Sequence, residues 1–369
     1  MKRTTIGIML AAILLTVTAC TSPSSPSTEG ERQEQEQEQE VSREEKSPDT
    51  PYQMLAEQLK TPWAIDFDGE TIYISERGGN IVQIQDGAFN RQSVHTEKPV
   101  AQIGEGGFLG FVLAPDFKES RRAFAYHSYD QDGSVMNRLV LLEQKGNEWT
   151  EAESFIEKIP GSNVHNGGRI AIGPDNHLYV TTGDSGEGEL AQNQENLAGK
   201  ILRLTLDGKI PEDNPTAGSY VFTLGHRNSQ GLAWNSEGEF YSSEHGPSGT
   251  PGGHDEINEI TAGSNYGWPE ILGDEQQEGM KTPVYHSGDT AIAPSGIAFD
   301  EEDQMYVATL RGQKLYRFQP ESTSLDVVLE DEGRLRDVKV YNGKIYVITN
   351  NTDGRGVPSD NDDRLLVLE

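Results

Sequence analysis

Cysteine is nearly missing from this chain: of 369 residues only Cys20 is one. A lone thiol closes no internal disulfide, so no covalent staple holds the fold. Positive charge is scarce as well. Thirty Lys and Arg stand against sixty Asp and Glu, a formal charge of −30. That balance argues against nucleic acid and against electrostatic docking on an anionic membrane. It suits a protein that handles neutral substrates or holds cations. Long apolar runs are missing apart from Ile6 to Val17, which is too short to span a bilayer comfortably. No long segment has helical period. The glycine-rich stretch Gly104-Glu105-Gly106-Gly107-Phe108-Leu109-Gly110 lacks the lysine of a phosphate loop and opens no helix, which removes a nucleotide reading.

What is present begins with a processing signal. Lys2 and Arg3 precede the apolar run, which ends in Val17-Thr18-Ala19-Cys20. A cysteine directly after small residues resembles the bacterial lipoprotein signal. Residues 1–19 are then a signal peptide and Cys20 carries the lipid; an ordinary signal peptide with an incidental cysteine is the alternative. Residues 20–50 continue as a Ser, Pro, Glu and Gln tract with almost nothing apolar to bury, a disordered tether. The expected location is extracytoplasmic, anchored to the cell membrane only through the lipid. The body from Pro51 onward still carries a charge of about −26.

The body, 51–369, reads as short β-branched or aromatic strands interrupted by Gly, Asp and Asn. One pattern recurs: a turn, then an apolar–Tyr–apolar strand. Its tyrosines are Tyr73, Tyr126, Tyr179, Tyr241, Tyr306 and Tyr346, separated by 53, 53, 62, 65 and 40 residues. A period near fifty matches one four-stranded propeller blade. No single blade buries its own apolar faces; six stacked in a ring do. The expectation is an all-β, six-bladed β-propeller. The long intervals before Tyr241 and Tyr306 predict the longer loops, which on one propeller face usually build a site.

Eight motifs follow one another along this repeat. They are the glycine-rich stretch at 104–110, His165-Asn166-Gly167-Gly168-Arg169, and Tyr179 to Asp184. Then come Gly225-His226-Arg227-Asn228 with Glu244-His245-Gly246-Pro247, and Asp255-Glu256-Ile257-Asn258 with Asn265-Tyr266-Gly267-Trp268-Pro269. Gly333-Arg334-Leu335-Arg336-Asp337 closes the series. Together they resemble the soluble aldose (glucose/sorbosone-type) dehydrogenases that use pyrroloquinoline quinone, over nearly the whole body from Pro62-Trp63 to Arg336.

The resemblance implies a calcium ion and the quinone at the top centre of the propeller, and oxidation of an aldose at C1 to a lactone. It implies His165 as the base, oriented by Asp184, because imidazole titrates near neutral pH. Arg227 and Asn228 match positions near the reacting carbonyl, where donors stabilise developing charge. Arg311, Arg334 and Arg336 match positions that clamp the quinone carboxylates. Glu244 and Asn258 match calcium ligands, with a backbone oxygen near Tyr266. Electrons pass to an external acceptor that the sequence does not name.

Three departures stand out. Glu105 occupies the place of an expected glutamine on the cofactor, where a carboxylate facing a tri-anion needs an arginine partner, protonation or a different orientation. The loop Ser248 to His254 is longer than usual and is expected to reshape the calcium loop or bring His254 to the site. Arg311 replaces a lysine of one family branch. Two other readings remain beside the dehydrogenase: a calcium-dependent lactonase-type hydrolase, and a non-catalytic propeller that binds glycans or a partner.

Overall fold

The computed structural model describes residues 51–249, 252–320 and 322–369. The expected signal peptide, Cys20 and the tether lie outside the described residues. Among the described residues no helix is long and apolar enough to cross a membrane.

The body is a six-bladed propeller. Four blades are separate four-stranded antiparallel sheets, and the other two are joined into one eight-stranded sheet. The join is made at the rims, where Ser93, Val94 and His95 of blade 1 pair in parallel with Glu148, Trp149 and Thr150 of blade 2. Pairing two outer edges removes two open ladders. The inner strands are Pro62–Asp68, Phe108–Leu113, Ile170–Ile172, Ser229–Trp234, Pro294–Phe299 and Leu335–Tyr341. Each packs against the next in cyclic order, and the sixth returns to the first. The ring is closed by the chain itself. Gln53–Ala56 forms the outer strand of blade 6 by pairing with Leu365–Leu368.

All six repeat tyrosines lie on the second strand of their blades: Thr71–Glu76, Arg122–Gln131, His177–Thr182, Phe240–Glu244, Met305–Thr309 and Lys344–Thr349. They act between blades. Tyr73 meets Phe117 of blade 2, with ring centroids 5.4 Å apart, and Tyr179 meets Trp234 and Phe240 of blade 4, each at 5.1 Å. Tyr241 reaches Phe299 of blade 5, and Tyr346 reaches Phe67 of blade 1. Edge-on aromatic pairs of this kind add to the area they bury. Opposite Tyr179, Tyr241 and Tyr306 the inner strand carries Ala171, Ala233 and Ala298, leaving room for the ring.

One tyrosine is out of register. Those of blades 1, 4, 5 and 6 stand three residues before the end of the inner-strand pairing, at Glu76, Glu244, Thr309 and Thr349, and Tyr179 stands three before the end of its strand at Thr182. In blade 2 that place belongs to Phe124, three before His127. Tyr126 sits two residues nearer the top. Its hydroxyl donates to the carbonyl of Asn166 at 3.0 Å, so this tyrosine serves the site rather than the blade contact.

The inner strands also bend where they reach the top. Register slips between Pro62 and Ala64, Phe108 and Phe111, Ser229 and Gly231, Pro294 and Ile297, and Leu335 and Asp337. A bulge turns an unpaired residue out of the ladder. Here the residues turned out include Trp63, Leu109, Gln230 and Arg336, and these four line one axial cavity.

Candidate active site

The cavity is a cup of about 250 Å³ at the bulged ends of the inner strands. Trp63 lines it, with its ring under the guanidiniums of Arg169 at 4.3 Å and Arg336 at 5.6 Å. Arg169 is tied down by Gln230 O at 2.7 Å and by Asp337 at 3.0 Å. These contacts hold two buried cations that would otherwise be costly.

One wall comes from blades 3 and 4. His165 lies in the left-handed region at φ 53°, and its side chain keeps 16% of its surface accessible. Its backbone passes so close to the next strand that a Cβ on Gly183 would lie 1.8 Å from His165 O. His165 Nδ1 donates to Asp184 Oδ1 at 2.7 Å. Asp184 is fixed by two more donors: Gly186 N at 2.7 Å on Oδ1 and Trp268 Nε1 at 2.8 Å on Oδ2. With Nδ1 engaged, Nε2 is the basic nitrogen, and it has no protein partner among the described residues. Arg227 is buried beside this pair. It donates to His245 O at 3.0 Å, with its guanidinium 5.4 Å from the Trp268 ring centroid. Burial lowers its pKa, and Asp184, Glu244, Glu105 and Asp255 offset that. Asn228 Oδ1 accepts from Gly167 N at 3.0 Å and from Gln230 Nε2 at 3.2 Å.

The other wall comes from blades 1 and 6. Arg77, buried, gives its hydrogen bonds to Gly104 O and Gly106 O. Arg336 gives its own to Gln230 Oε1 at 2.9 Å and Ser295 Oγ at 3.4 Å, and its buried Nε has no partner. Burial pushes Arg336 down to about 9, as do the cations Arg334, Arg77 and Arg169. Among the described residues neither Arg77 nor Arg336 forms an ion pair. The two carboxylates of the cup are both matched: Asp353 with Arg334 at 2.7 Å, and Glu105 with Arg355 at 2.7 Å. The cup of this acidic protein therefore holds a surplus of positive charge.

The family model for glucose/sorbosone dehydrogenases matches residues 59–359. This chain belongs to the glucose/sorbosone dehydrogenase family. It is 30% identical to an aldose sugar dehydrogenase of Escherichia coli, over 82% of this chain and 90% of that one. It is 31% identical to quinoprotein glucose dehydrogenase B of Acinetobacter calcoaceticus, over 65% of this chain and 56% of the relative's length. Among solved structures it resembles the quinone (PQQ)-bound aldose sugar dehydrogenase of Streptomyces coelicolor. That likeness has a TM-score of 0.77 and 37% identity, and it covers 86% of this chain and 96% of the other.

Within this glucose/sorbosone dehydrogenase fold, the expected residues separate. Glu105, Asn228 and Arg336 line the cup. His165 and its partner Asp184, Arg227 and Arg334 stand behind that lining, bonded to it through Glu105, His245 and Asp353. The other four do not enter it. Glu244 is buried and turned into blade 4, where it accepts from His226 Nδ1 at 2.9 Å, Ser229 Oγ at 3.0 Å, Asn228 N at 3.2 Å and Arg227 N. Its two oxygens are filled, so its role is to hold the Arg227–Asn228 turn. Asn258 Oδ1 is buried without a partner, but its amide bonds Glu256 and it does not line the cup. Among the described residues no three His, Cys, Asp or Glu side chains form a metal site. Neither side chain expected to hold calcium lines the cup, and the Glu244 oxygens are taken up by four donors. Tyr266 spends its hydroxyl on Glu259 O at 2.6 Å and on Thr261 N at 2.8 Å, while its ring stacks on His226. Arg311 is exposed on the rim; it is the neighbouring Leu310 that lines the cup. His254 of the long loop stacks on His286 at 5.5 Å, away from the cup.

Several lining residues had been given no role from the sequence: Arg77, His245, Gln230, Trp63 and Arg355. A signal for some existed in the repeat. Four residues beyond Tyr73, Tyr241 and Tyr306 stand Arg77, His245 and Leu310, all in the lining. His245 Nε2 is buried without a partner, and burial lowers its pKa to about 4, so it is neutral.

Proposed function

We propose that this chain oxidises aldose sugars at C1 to lactones with bound pyrroloquinoline quinone. One observation carries the reading: an Asp-backed imidazole stands beside a cup that holds two guanidiniums without carboxylate partners. A planar tri-anion fits the second feature, and a sugar hydroxyl fits the first. Arg336, with its unpartnered Nε, and Arg77 are the residues that would hold the quinone carboxylates. Asn228, whose amide nitrogen has no protein partner among the described residues, faces the same space. When bound, the quinone supplies the two-electron acceptor for the hydride leaving C1.

The chain's own part is proton handling and alignment. His165 Nε2 takes the proton of the C1 hydroxyl as the C1–H bond gives up its hydride and the C1 carbonyl forms. Asp184 keeps Nδ1 protonated and stabilises the imidazolium that results. The Trp268 indole fixes Asp184, and its face steadies Arg227. Arg227 places positive charge beside the reacting centre.

No calcium is assigned to Glu244 or Asn258 in this reading, and no step depends on one. Attachment through a lipid on Cys20 is also proposed, supported by the Val17 to Cys20 sequence. The test is titration of the purified quinone-free protein with quinone, followed by absorbance, then dye reduction with a panel of aldoses. Saturable binding and sugar-dependent dye reduction are expected. No binding and no turnover would overturn the reading. Hydrolysis of gluconolactone without quinone would favour a hydrolase.

A further inference from the structure

We propose that Glu105 and Arg355 are positioning residues that together set the place and the basicity of His165; this rests on the reading of His165 as the base. Glu105 Oε2 accepts the backbone N–H of His165 at 2.9 Å, and Oε1 meets Arg355 Nη1 at 2.7 Å. Glu105 N donates in turn to Asn163 O at 2.9 Å. The turn at 104–106 and the segment at 163–165 are therefore tied by two bonds. Their approach is close: Gly104 lies at φ 56°, and a Cβ there would come within 2.1 Å of Asn163 O. Arg77 grips the same turn from below through two carbonyls.

Arg355 reaches Glu105 from the loop between Lys344–Thr349 and Leu365–Leu368 of blade 6. Its own N–H donates to Asp353 Oδ1 at 2.8 Å, and Asp353 Oδ2 is held by Arg334 at 2.7 Å. Alternating charges thus run Arg334, Asp353, Arg355, Glu105 across the cup mouth and end on the backbone of His165. The arrangement answers the departure at position 105. A glutamine would accept the His165 N–H without charge. Glutamate makes the stronger charge-assisted bond but needs a cation to cancel it. Burial alone would raise the Glu105 pKa; the His165 N–H and Arg355 outweigh it and hold the carboxyl below its usual range, so it is ionised. The pair is not there for global stability. The Arg355 side chain is 58% exposed, and pairs that wet contribute under about 1 kcal/mol.

The charged or titratable groups around Glu105 and His165 are Asp184, Arg355, Arg77, Arg227 and His245. Removing Arg355 leaves an uncancelled carboxylate on the His165 backbone. A nearby negative charge favours imidazolium, so the base then needs a higher pH to act.

The test uses the full chain as Arg355→Ala, Glu105→Gln, Glu105→Ala and the double variant Glu105→Gln/Arg355→Ala. In Arg355→Ala the acid limb of the kcat profile moves up by about one pH unit. Low on the acid limb, below both midpoints, kcat then falls roughly tenfold, with KM within about twofold. The double variant returns the limb to its original place, since an amide still accepts the N–H and no charge needs cancelling. A second readout needs no quinone. Hydrogen exchange at the His165 amide accelerates at least about tenfold in Glu105→Ala and stays near wild type in Glu105→Gln. An unmoved acid limb in Arg355→Ala, no rescue in the double variant, or unchanged exchange in Glu105→Ala overturns the proposal. If the wild type binds no quinone and oxidises no sugar, the dehydrogenase reading fails, and the exchange experiment alone decides the bridge.

Discussion

The two walls of the cup are built from the same kind of material and left in opposite states. On the wall of blades 3 and 4, the charged groups are tied down: Asp184 has three donors, Arg227 has a carbonyl and an indole face, and Glu244 behind them has four donors, while the neutral His245 keeps a buried nitrogen without a partner among the described residues. On the wall of blades 1 and 6, Arg77 and Arg336 are buried among neutral acceptors, and one nitrogen of Arg336 has nothing. The contrast is one of task. Proton transfer needs a base fixed before substrate arrives, so its wall is satisfied in advance. Anion binding needs charge left over, so its wall carries a cost that a ligand would remove.

That comparison breaks if the walls respond alike to mutation. The largest effect is expected from His165→Ala, which should lower kcat by about 1,000-fold. Quinone affinity should stay within about threefold by absorbance titration. Arg336→Met should do the reverse. It should weaken quinone binding by about 100-fold, the loss of one charge-assisted contact. It should also stabilise the quinone-free protein by about 1 kcal/mol in chemical denaturation, because a buried unpaired guanidinium is gone. A destabilised Arg336→Met protein would mean that this wall is as satisfied as the other. The smallest functional consequence, and the sharpest test of the satisfied wall, comes from Glu244→Gln. Stability should fall by about 3 kcal/mol, since His226 Nδ1 and three other donors lose a carboxylate. Calcium should not restore it. Recovery of the melting temperature by calcium would return Glu244 to the role of a metal ligand.

Much of the fold was legible in the chain. The tyrosine count located the second strand of every blade, and the period gave the number of blades. Tyr126 misled by two residues because blade 2 carries both Phe124 and Tyr126 on one strand face, and only pairing shows which one is in register. Of the site, the His165–Asp184 and Arg227–Asn228 pairs were readable because each belongs to a compact motif. Glu244 was read as a ligand because nothing in Glu-His-Gly-Pro reveals that His226 and Ser229, on the neighbouring strand, point at it. Arg355 was invisible. Its surroundings, Asn351 to Asp363, look like a turn-rich linker, and its partner lies 250 positions earlier in the chain.

The sequence by itself determined the repeat, the strand faces and the lack of any internal disulfide. These follow from local pattern, since alternation and turn residues act over a few positions. Only the tertiary structure decided which charges are cancelled and which are left over. Closing six blades into a ring brings Glu105 to Arg355 and Arg169 to Asp337, pairs far apart in the chain. The near-absence of cysteine and of positive charge, visible at once, takes its meaning there. Closure rests on the strand Gln53–Ala56 instead of a covalent link, and the few arginines of an acidic chain are concentrated where an anion would sit.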